Sequence, residues 1–274
     1  MNLRILVPVD GSALSEVSLE YAAYVAELRQ GQLLLLRSGP EAGYREYLEN
    51  HAEKLRQRGL QVSVSEDQQR AEEAILALSD QVDLVVMSSH GEGGLGRWLM
   101  GSTTTRVVQA CSKPVLVVGG QALERVEFRP FRRLMVPLDG SEICMAAVAP
   151  AVAMARAARA ELLLFRSLVT SDLDHALPSV AAAHAAEEAM ASEYLEGVRT
   201  GIEGVETRLL MHAATPTRGI VAVAESEEID LIVMTTHGRS GFVRWICGSV
   251  TEAVLYQAPC PVLVVNPRYA PKVT

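Results

Sequence analysis

The stretch Arg4-Ile5-Leu6-Val7-Pro8-Val9-Asp10-Gly11-Ser12 recurs as Arg133-Leu134-Met135-Val136-Pro137-Leu138-Asp139-Gly140-Ser141. An apolar run of strand length ending in Asp-Gly-Ser reads as a buried β-strand, a turn and a helix start, with Ser as a good N-cap. Behind Ser12, Leu14, Val17, Tyr21, Val25 and Leu28 follow at helical spacing. A strand leading straight into an amphipathic helix opens a βα unit.

The same shift of 129 positions (139 against 10) carries Leu33-Leu34-Leu35-Leu36-Arg37-Ser38 onto Leu162-Leu163-Leu164-Phe165-Arg166-Ser167. Further along the shift is 147 (237 against 90). It takes His90-Gly91 onto His237-Gly238, Arg97-Trp98 onto Arg244-Trp245, Gly101-Ser102 onto Gly248-Ser249, and Pro114-Val115-Leu116-Val117-Val118 onto Pro261-Val262-Leu263-Val264-Val265. The second copy therefore holds 18 extra residues (147 against 129), in the region Thr170 to Glu203 with its Ala-rich stretch Ala181 to Ala191. Two consistent shifts over matches this long establish a tandem duplication, and 274 residues suit two domains. Gly119-Gly120 and Pro130 punctuate the junction, so the expected bounds are 1–120, a linker over 121–131, and 132–268.

Strands are expected near 3–9, 32–37, 61–65, 83–88 and 114–118, and again near 133–138, 161–166, 205–210, 229–234 and 261–265. Helices are expected over 45–58, 70–79 and 103–110 in the first copy. The runs are rich in Val, Leu and Ile without alternation, as in strands covered on both faces. The fold class is α/β, two tandem five-stranded doubly wound parallel sheets. In such sheets ligands sit at the carboxyl ends of the strands. That singles out Asp10 and Asp139, Ser38 and Ser167, and the loops after Met87 and Met234.

Composition excludes several classes. The chain is 49% hydrophobic and 21% charged with a net charge of −8, and no run of Lys or Arg exceeds two. A nucleic-acid or anionic-membrane surface needs a basic stripe. The four cysteines, Cys111, Cys144, Cys247 and Cys260, form no C-x-x-C pair or disulfide framework. The most apolar later stretch, Ala146 to Ala155, contains Pro150 and falls short of a bilayer span of roughly 20 residues. The apolar start is too short for a signal peptide, and the expected location is the cytoplasm.

The loop after the fourth strand reads Met87-Ser88-Ser89-His90-Gly91, nine residues, then Gly101-Ser102-Thr103-Thr104. Its twin reads Met234-Thr235-Thr236-His237-Gly238, nine residues, then Gly248-Ser249-Val250-Thr251. Gly101-Ser102 opens a helix whose first amides are unpaired and whose dipole is positive there, an anion site suited to phosphates. Ser102 and Thr104 are expected to add hydroxyl donors. Gly91 can take the turn that folds the nine-residue arm over a ligand. No Gly-Lys-[Ser/Thr] occurs, so this is not a Walker A loop. Gly91-Glu92-Gly93-Gly94-Leu95-Gly96 follows the wrong strand for a dinucleotide fingerprint, and its twin has lost two of the glycines.

These motifs resemble the universal stress protein family over nearly the whole chain, twice over. Its nucleotide-binding members carry G-x2-G-x9-G-[S/T] in this loop, an Asp just after strand one, and a closing P-V-L-V-V strand. The resemblance implies an adenine-nucleotide alpha-hydrolase-like fold that binds ATP, with or without Mg2+. It implies that Val9, Asp10, Leu138 and Asp139 lie beside the adenine, and that Met87 and Met234 pack near base or ribose. Gly91, Gly101, Ser102, Thr103 and Thr104 would surround the phosphates, as would Gly238, Gly248, Ser249, Val250 and Thr251. By their place in the same two loops, Ser88, His90, Thr235, His237 and Arg239 complete the candidate nucleotide-binding set. It also implies that Val115–Val118, otherwise a sheet edge, pairs with Val262–Val265 inside the chain. The result would be a pseudo-twofold dimer, leaving room for a further homodimer and an unidentified protein partner.

The sequence departs from the family pattern at its first motif Gly, which is Ser88 and Thr235 here. After His-Gly stand Glu92 and Arg239, so charge alone favours copy two as the stronger site. Plainer readings stand beside these. Asp10 and Asp139 can be turn residues capping a helix, Gly101-Ser102 a plain helix start, and His90 and His237 loop residues that orient backbone. His175, His184 and His212 read as solvated surface, Cys111 and Cys260 as buried inert thiols, and the Arg-Trp pairs as anchors of the arm. Three functional classes compete: a nucleotide-binding stress or signalling protein, non-enzymatic or at most slowly hydrolysing; an interaction scaffold of the same fold without nucleotide; and an adenylyl transferase or ATP pyrophosphatase. The third needs His-x-x-His or Ser-Gly-Gly-x-[Ser/Thr] after strand one, where Asp-Gly-Ser stands. A receiver domain lacks its acidic pair and phosphoacceptor Asp.

Overall fold

The computed structural model describes residues 3–39, 44–90, 100–119, 128–168, 178–236 and 248–267, with the backbone alone for 178–181 and 183. Copy one runs β1 (Arg4–Pro8), α1 (Ala13–Arg29), β2 (Gln32–Ser38), α2 (Arg45–Gln57), β3 (Gln61–Asp67), α3 (Ala71–Ser79), β4 (Leu84–Ser88), α4 (Ser102–Ala110) and β5 (Val115–Val118). Copy two runs β6 (Arg133–Pro137), a 3-10 turn (Cys144–Ala147), α5 (Val148–Ala158), β7 (Glu161–Leu168), α6 (Pro178–Thr200), β8 (Thr207–Ala213), α7 (Pro216–Ser226), β9 (Leu231–Thr235), α8 (Ser249–Gln257) and β10 (Val262–Val265). Strands β3 and β8 are longer, and β8 starts later, than the apolar pattern suggested. The end of β3, Glu66-Asp67, is polar and lies on the sheet edge, where hydropathy does not mark it.

All strands among the described residues join one ten-stranded sheet in the order β3-β2-β1-β4-β5-β10-β9-β6-β7-β8. Neighbours within a copy are parallel, while β5 and β10 meet antiparallel with Leu116 opposite Leu263. The closing strands thus pair inside the chain, at the middle of the sheet, and each copy's edge is covered by the other. The antiparallel seam points the carboxyl ends of the two parallel sets in opposite directions.

Side chains alternate between two buried layers. Ile5, Val7, Leu84, Val86, Leu116 and their counterparts meet α1, α2, α5 and α6. Leu6, Val85, Met87, Val115, Val117 and their counterparts meet α3, α4, α7 and α8. Both faces are filled, which is why the strands read as unbroken apolar runs.

Ser12 caps α1, its side chain accepting the Ser15 amide at 3.2 Å. Copy two begins its helix differently. Pro150 stands where copy one has Tyr21, and Pro is tolerated only in a first helical turn, so α5 starts late behind the 3-10 turn. Part of the insertion lengthens a helix: α6 has 23 residues where α2 has 13. The end of the expected linker is docked on α1. Phe131 is 1% exposed, and Phe128 and Phe131 pack on Tyr21 and Tyr24 with ring centroids 5.1 to 5.8 Å apart. The two tyrosine hydroxyls accept the Arg129 and Phe131 amides at 3.3 and 3.2 Å.

Candidate functional site

At the carboxyl ends of β1, β2 and β4 lies a cavity of about 450 Å³. Val9, Asp10, Ser38, Met87, Ser88, His90, Gly101, Ser102, Thr103 and Thr104 line it, so the described residues singled out in copy one converge on one space. Gly91, Glu92, His237, Gly238 and Arg239 lie outside the described residues. Pro8, Leu36, Ala71 and Ile75 line the cavity as well. Pro8 and Leu36 stood in repeated stretches. Ala71 and Ile75 carry no signal beyond being apolar.

One end of the cavity is apolar, from Val9, Leu36, Ile75 and Met87, with the Asp10 carboxylate beside it. Asp10 is locked in an Asx turn, its Oδ1 accepting the Ser12 amide at 3.0 Å and the Ser12 hydroxyl at 2.6 Å. Asp139 repeats this with Ser141 at the same distances. The turns need Gly11 and Gly140, whose φ values of 88° and 84° suit glycine. The turn-residue reading of Asp10 and Asp139 is thus real, and it presents the carboxylate of Asp10 at the cavity wall.

The other end is the start of α4. Gly101 is the N-cap and brings no capping side chain, and no acidic residue stands in the first turn. The amides of Ser102 and Thr103 therefore face the cavity end under a positive helix dipole. The helix is clipped to the end of β4: the Gly101 amide donates to Ser89 O at 2.8 Å, and Thr104 Oγ1 donates to Ser88 O at 2.9 Å. A Cβ on Gly101 would come within 3.2 Å of Ser89 O, a tight contact that the strand end would have to give way to by a few tenths of an ångström. Copy two has the same clip, Gly248 to Thr236 O at 2.6 Å and Thr251 to Thr235 O at 2.8 Å.

One expected hydroxyl donor and two strand-end serines turn out to be committed to the protein itself. The proton of Thr104 Oγ1 is committed to Ser88 O, so Thr104 lines the cavity without a hydroxyl donor to offer. Ser38 Oγ donates to Gln69 O at 2.6 Å and Ser167 Oγ donates to Ala214 O, tying the end of each second strand to the next loop. These partners lie 31 and 47 residues away, beyond the reach of local pattern.

His90 Nδ1 lies 2.9 Å from Ser89 Oγ, while its Nε2 is buried with no hydrogen-bond partner among the described residues. Burial pushes the imidazole pKa down, which keeps it neutral. In copy two, Leu138, Asp139, Ser167, Met234, Thr235, Gly248, Ser249, Val250 and Thr251 hold the equivalent places. Cys111, Cys144 and Cys260 are buried free thiols, and burial raises the pKa of Cys111 and Cys260. Among the described residues no helix is long and apolar enough to cross a membrane.

The universal stress protein family model matches residues 1–119 and again 130–266. A universal stress protein of Mycolicibacterium smegmatis is 27% identical over 96% of this chain and 97% of its own length. One from Mycobacterium tuberculosis H37Rv is 30% identical over 69% of this chain and 64% of its own. Among solved structures, a functionally unknown protein from Pseudomonas aeruginosa PAO1 superposes with a TM-score of 0.72 at 19% identity, over 97% of this chain and 92% of that one. A universal stress protein from Archaeoglobus fulgidus gives 0.67 at 20%, over 96% and 98%. With two matches of the family model spanning most of its length, the ten-stranded chain belongs to the universal stress protein family and carries that family's domain twice.

Proposed function

We propose that the protein binds an adenine nucleotide, ATP with or without Mg2+, and acts by binding rather than by catalysis. Occupancy would alter a surface read by a protein partner in a cytoplasmic stress response. The observation that carries this is the cavity with one apolar end beside Asp10 and, at the other, an uncapped helix N-terminus at Gly101–Thr104. A flat heterocycle suits the apolar end. The Asp10 carboxylate favours amino or hydroxyl donors and repels phosphate, so the phosphates belong against the amides of α4. Among the described residues no three of His, Cys, Asp and Glu are grouped to hold a metal, so Mg2+ would arrive with the phosphates. His90 is neutral and bonded to a serine hydroxyl, an arrangement that orients the loop.

The test is to denature the purified protein, identify the small molecules released, and measure the thermal shift on adding ATP and Mg2+. An adenine nucleotide and a rise in Tm are expected. No nucleotide and no shift would refute the proposal and favour the scaffold reading, to which Ser88 and Thr235 at the first motif glycine also point.

A further inference from the structure

We infer that the chain holds one nucleotide, in the cleft of copy one, and that Phe165 is the residue that most excludes a base from copy two. The inference rests on the nucleotide reading above and deepens it. The cavity of copy one can be compared with copy two position by position. Leu36 pairs with Pro8 and Phe165 with Pro137 in the same strand register, and Ala71 and Pro216 each open the helix after the third strand of their copy.

On this alignment Asp10, Ser38, Ile75, Met87, Gly101, Ser102 and Thr104 have identical partners in copy two, so the polar equipment is retained. The described positions that differ change in one direction. Val9 becomes Leu138, Leu36 becomes Phe165, Ala71 becomes Pro216 and Ser88 becomes Thr235, adding one, three, two and one carbons respectively. Thr103 becomes Val250 and loses its hydroxyl. The largest change is the ring of Phe165, 1% exposed, which packs within 3.2 Å of where a Cβ on Gly219 would stand. Gly219 replaces Ala74, the one compensating loss, and it returns a single carbon. On balance the residues that stand at the lining positions in copy two carry several more carbons than those of copy one, whose cavity is about 450 Å³.

The phosphate end weakens in parallel. The first turn of α4 carries no acidic residue, whereas α8 has Glu252 in its first turn, at the place of Thr105. A carboxylate there offsets the helix dipole and repels phosphate. Steric and electrostatic differences on separate elements thus favour copy one. The Glu92–Arg239 contrast, which pulls the other way, lies outside the described residues.

The experiment is equilibrium titration of the full chain with ATP and Mg2+, reading stoichiometry and affinity. Three variants carry it: Leu36→Phe with Ala74→Gly, the reciprocal Phe165→Leu with Gly219→Ala, and Thr105→Glu. One ATP per chain is expected. Copy two already accommodates Phe beside Gly, so the first pair brings its own compensation and lowers affinity at least tenfold. The reciprocal pair leaves the copy-one affinity within twofold. Thr105→Glu, at a half-buried position, weakens binding about two- to fivefold at low salt. Two ATP per chain, or wild-type affinity in both Leu36→Phe/Ala74→Gly and Thr105→Glu, overturns the inference. No binding at all overturns the nucleotide reading beneath it.

Discussion

Replacing Gly119 by Ala probes the joint between β5 and the candidate site. Gly119 follows β5 with φ at 147°, in a region that L side chains rarely adopt. A Cβ added there would stand 1.8 Å from Ser89 Oγ and 2.6 Å from Ser89 Cβ. Rotating the serine can move its oxygen but not its Cβ, so the backbone must part. The unfavourable φ costs about 1–3 kcal/mol. Overpacking adds about 1–3 kcal/mol. Displacing Ser89 Oγ from His90 Nδ1 adds about 1 kcal/mol. The expected loss is about 5 kcal/mol. In a Ser89→Gly background the clash and the histidine contact are both absent, and Gly119→Ala should then cost only the backbone share, about 2 kcal/mol. Urea unfolding followed by circular dichroism on the four proteins closes the double-mutant cycle. A coupling of about 3 kcal/mol is expected, and costs that add to within about 0.5 kcal/mol would refute the reasoning.

Phe131→Ala should cost about 3–5 kcal/mol by emptying the aromatic cluster on α1, read as a fall in the urea midpoint. Thr104→Val and Thr251→Val each remove one clip between a strand end and a helix, and each should cost about 1–3 kcal/mol through the lost buried hydrogen bond to the Ser88 or Thr235 carbonyl. Burial lowers the pKa of both His51 and His90, so between their native and unfolded pKa values the unfolded chain binds more protons. Stability is therefore full above the unfolded value of about 6.5 and falls as pH drops below it; replacing both residues by Gln should flatten that slope in pH-dependent unfolding, and NMR titration of His90 should give a midpoint below 6.5. The thiols of Cys111, Cys144 and Cys260 should react with a disulfide reagent at pH 8 no faster than the protein unfolds, as judged by labelling and peptide mapping.

The duplication, the strand positions and most of the candidate site were legible because they rest on local pattern. Apolar runs, Asp-Gly-Ser and the spacing from His90 to Gly101 are contiguous in the chain. What could not be read involves partners far apart. Ser38 stood out as a strand-end hydroxyl, yet its proton goes to Gln69 O across a loop. Thr104 looked like a ligand donor, but Ser88 O, 16 residues back, takes its proton. Ile75 is an ordinary core residue of α3 until the sheet brings it against Leu36 and Met87. Tyr21 and Tyr24 fit an amphipathic helix, and nothing local announces that the chain returns at Phe128 and Phe131 to cover them. The meeting of β5 with β10 was available only through family resemblance, because two identical Val-Leu-Val-Val runs do not say whether they pair with each other or with another molecule.

That central seam has an evolutionary consequence. Two separate identical chains meeting along such strands would carry every substitution on both sides, and their union would weaken on dilution. Here one backbone supplies both halves, so they meet at a local concentration independent of expression level. Each half can also change alone. Phe165 where its sister has Leu36, Cys144 where it has Ser15, and Asn266, which reaches across the seam to Cys111 O where its counterpart is the bare Gly119, are changes a strict dimer could not confine to one side.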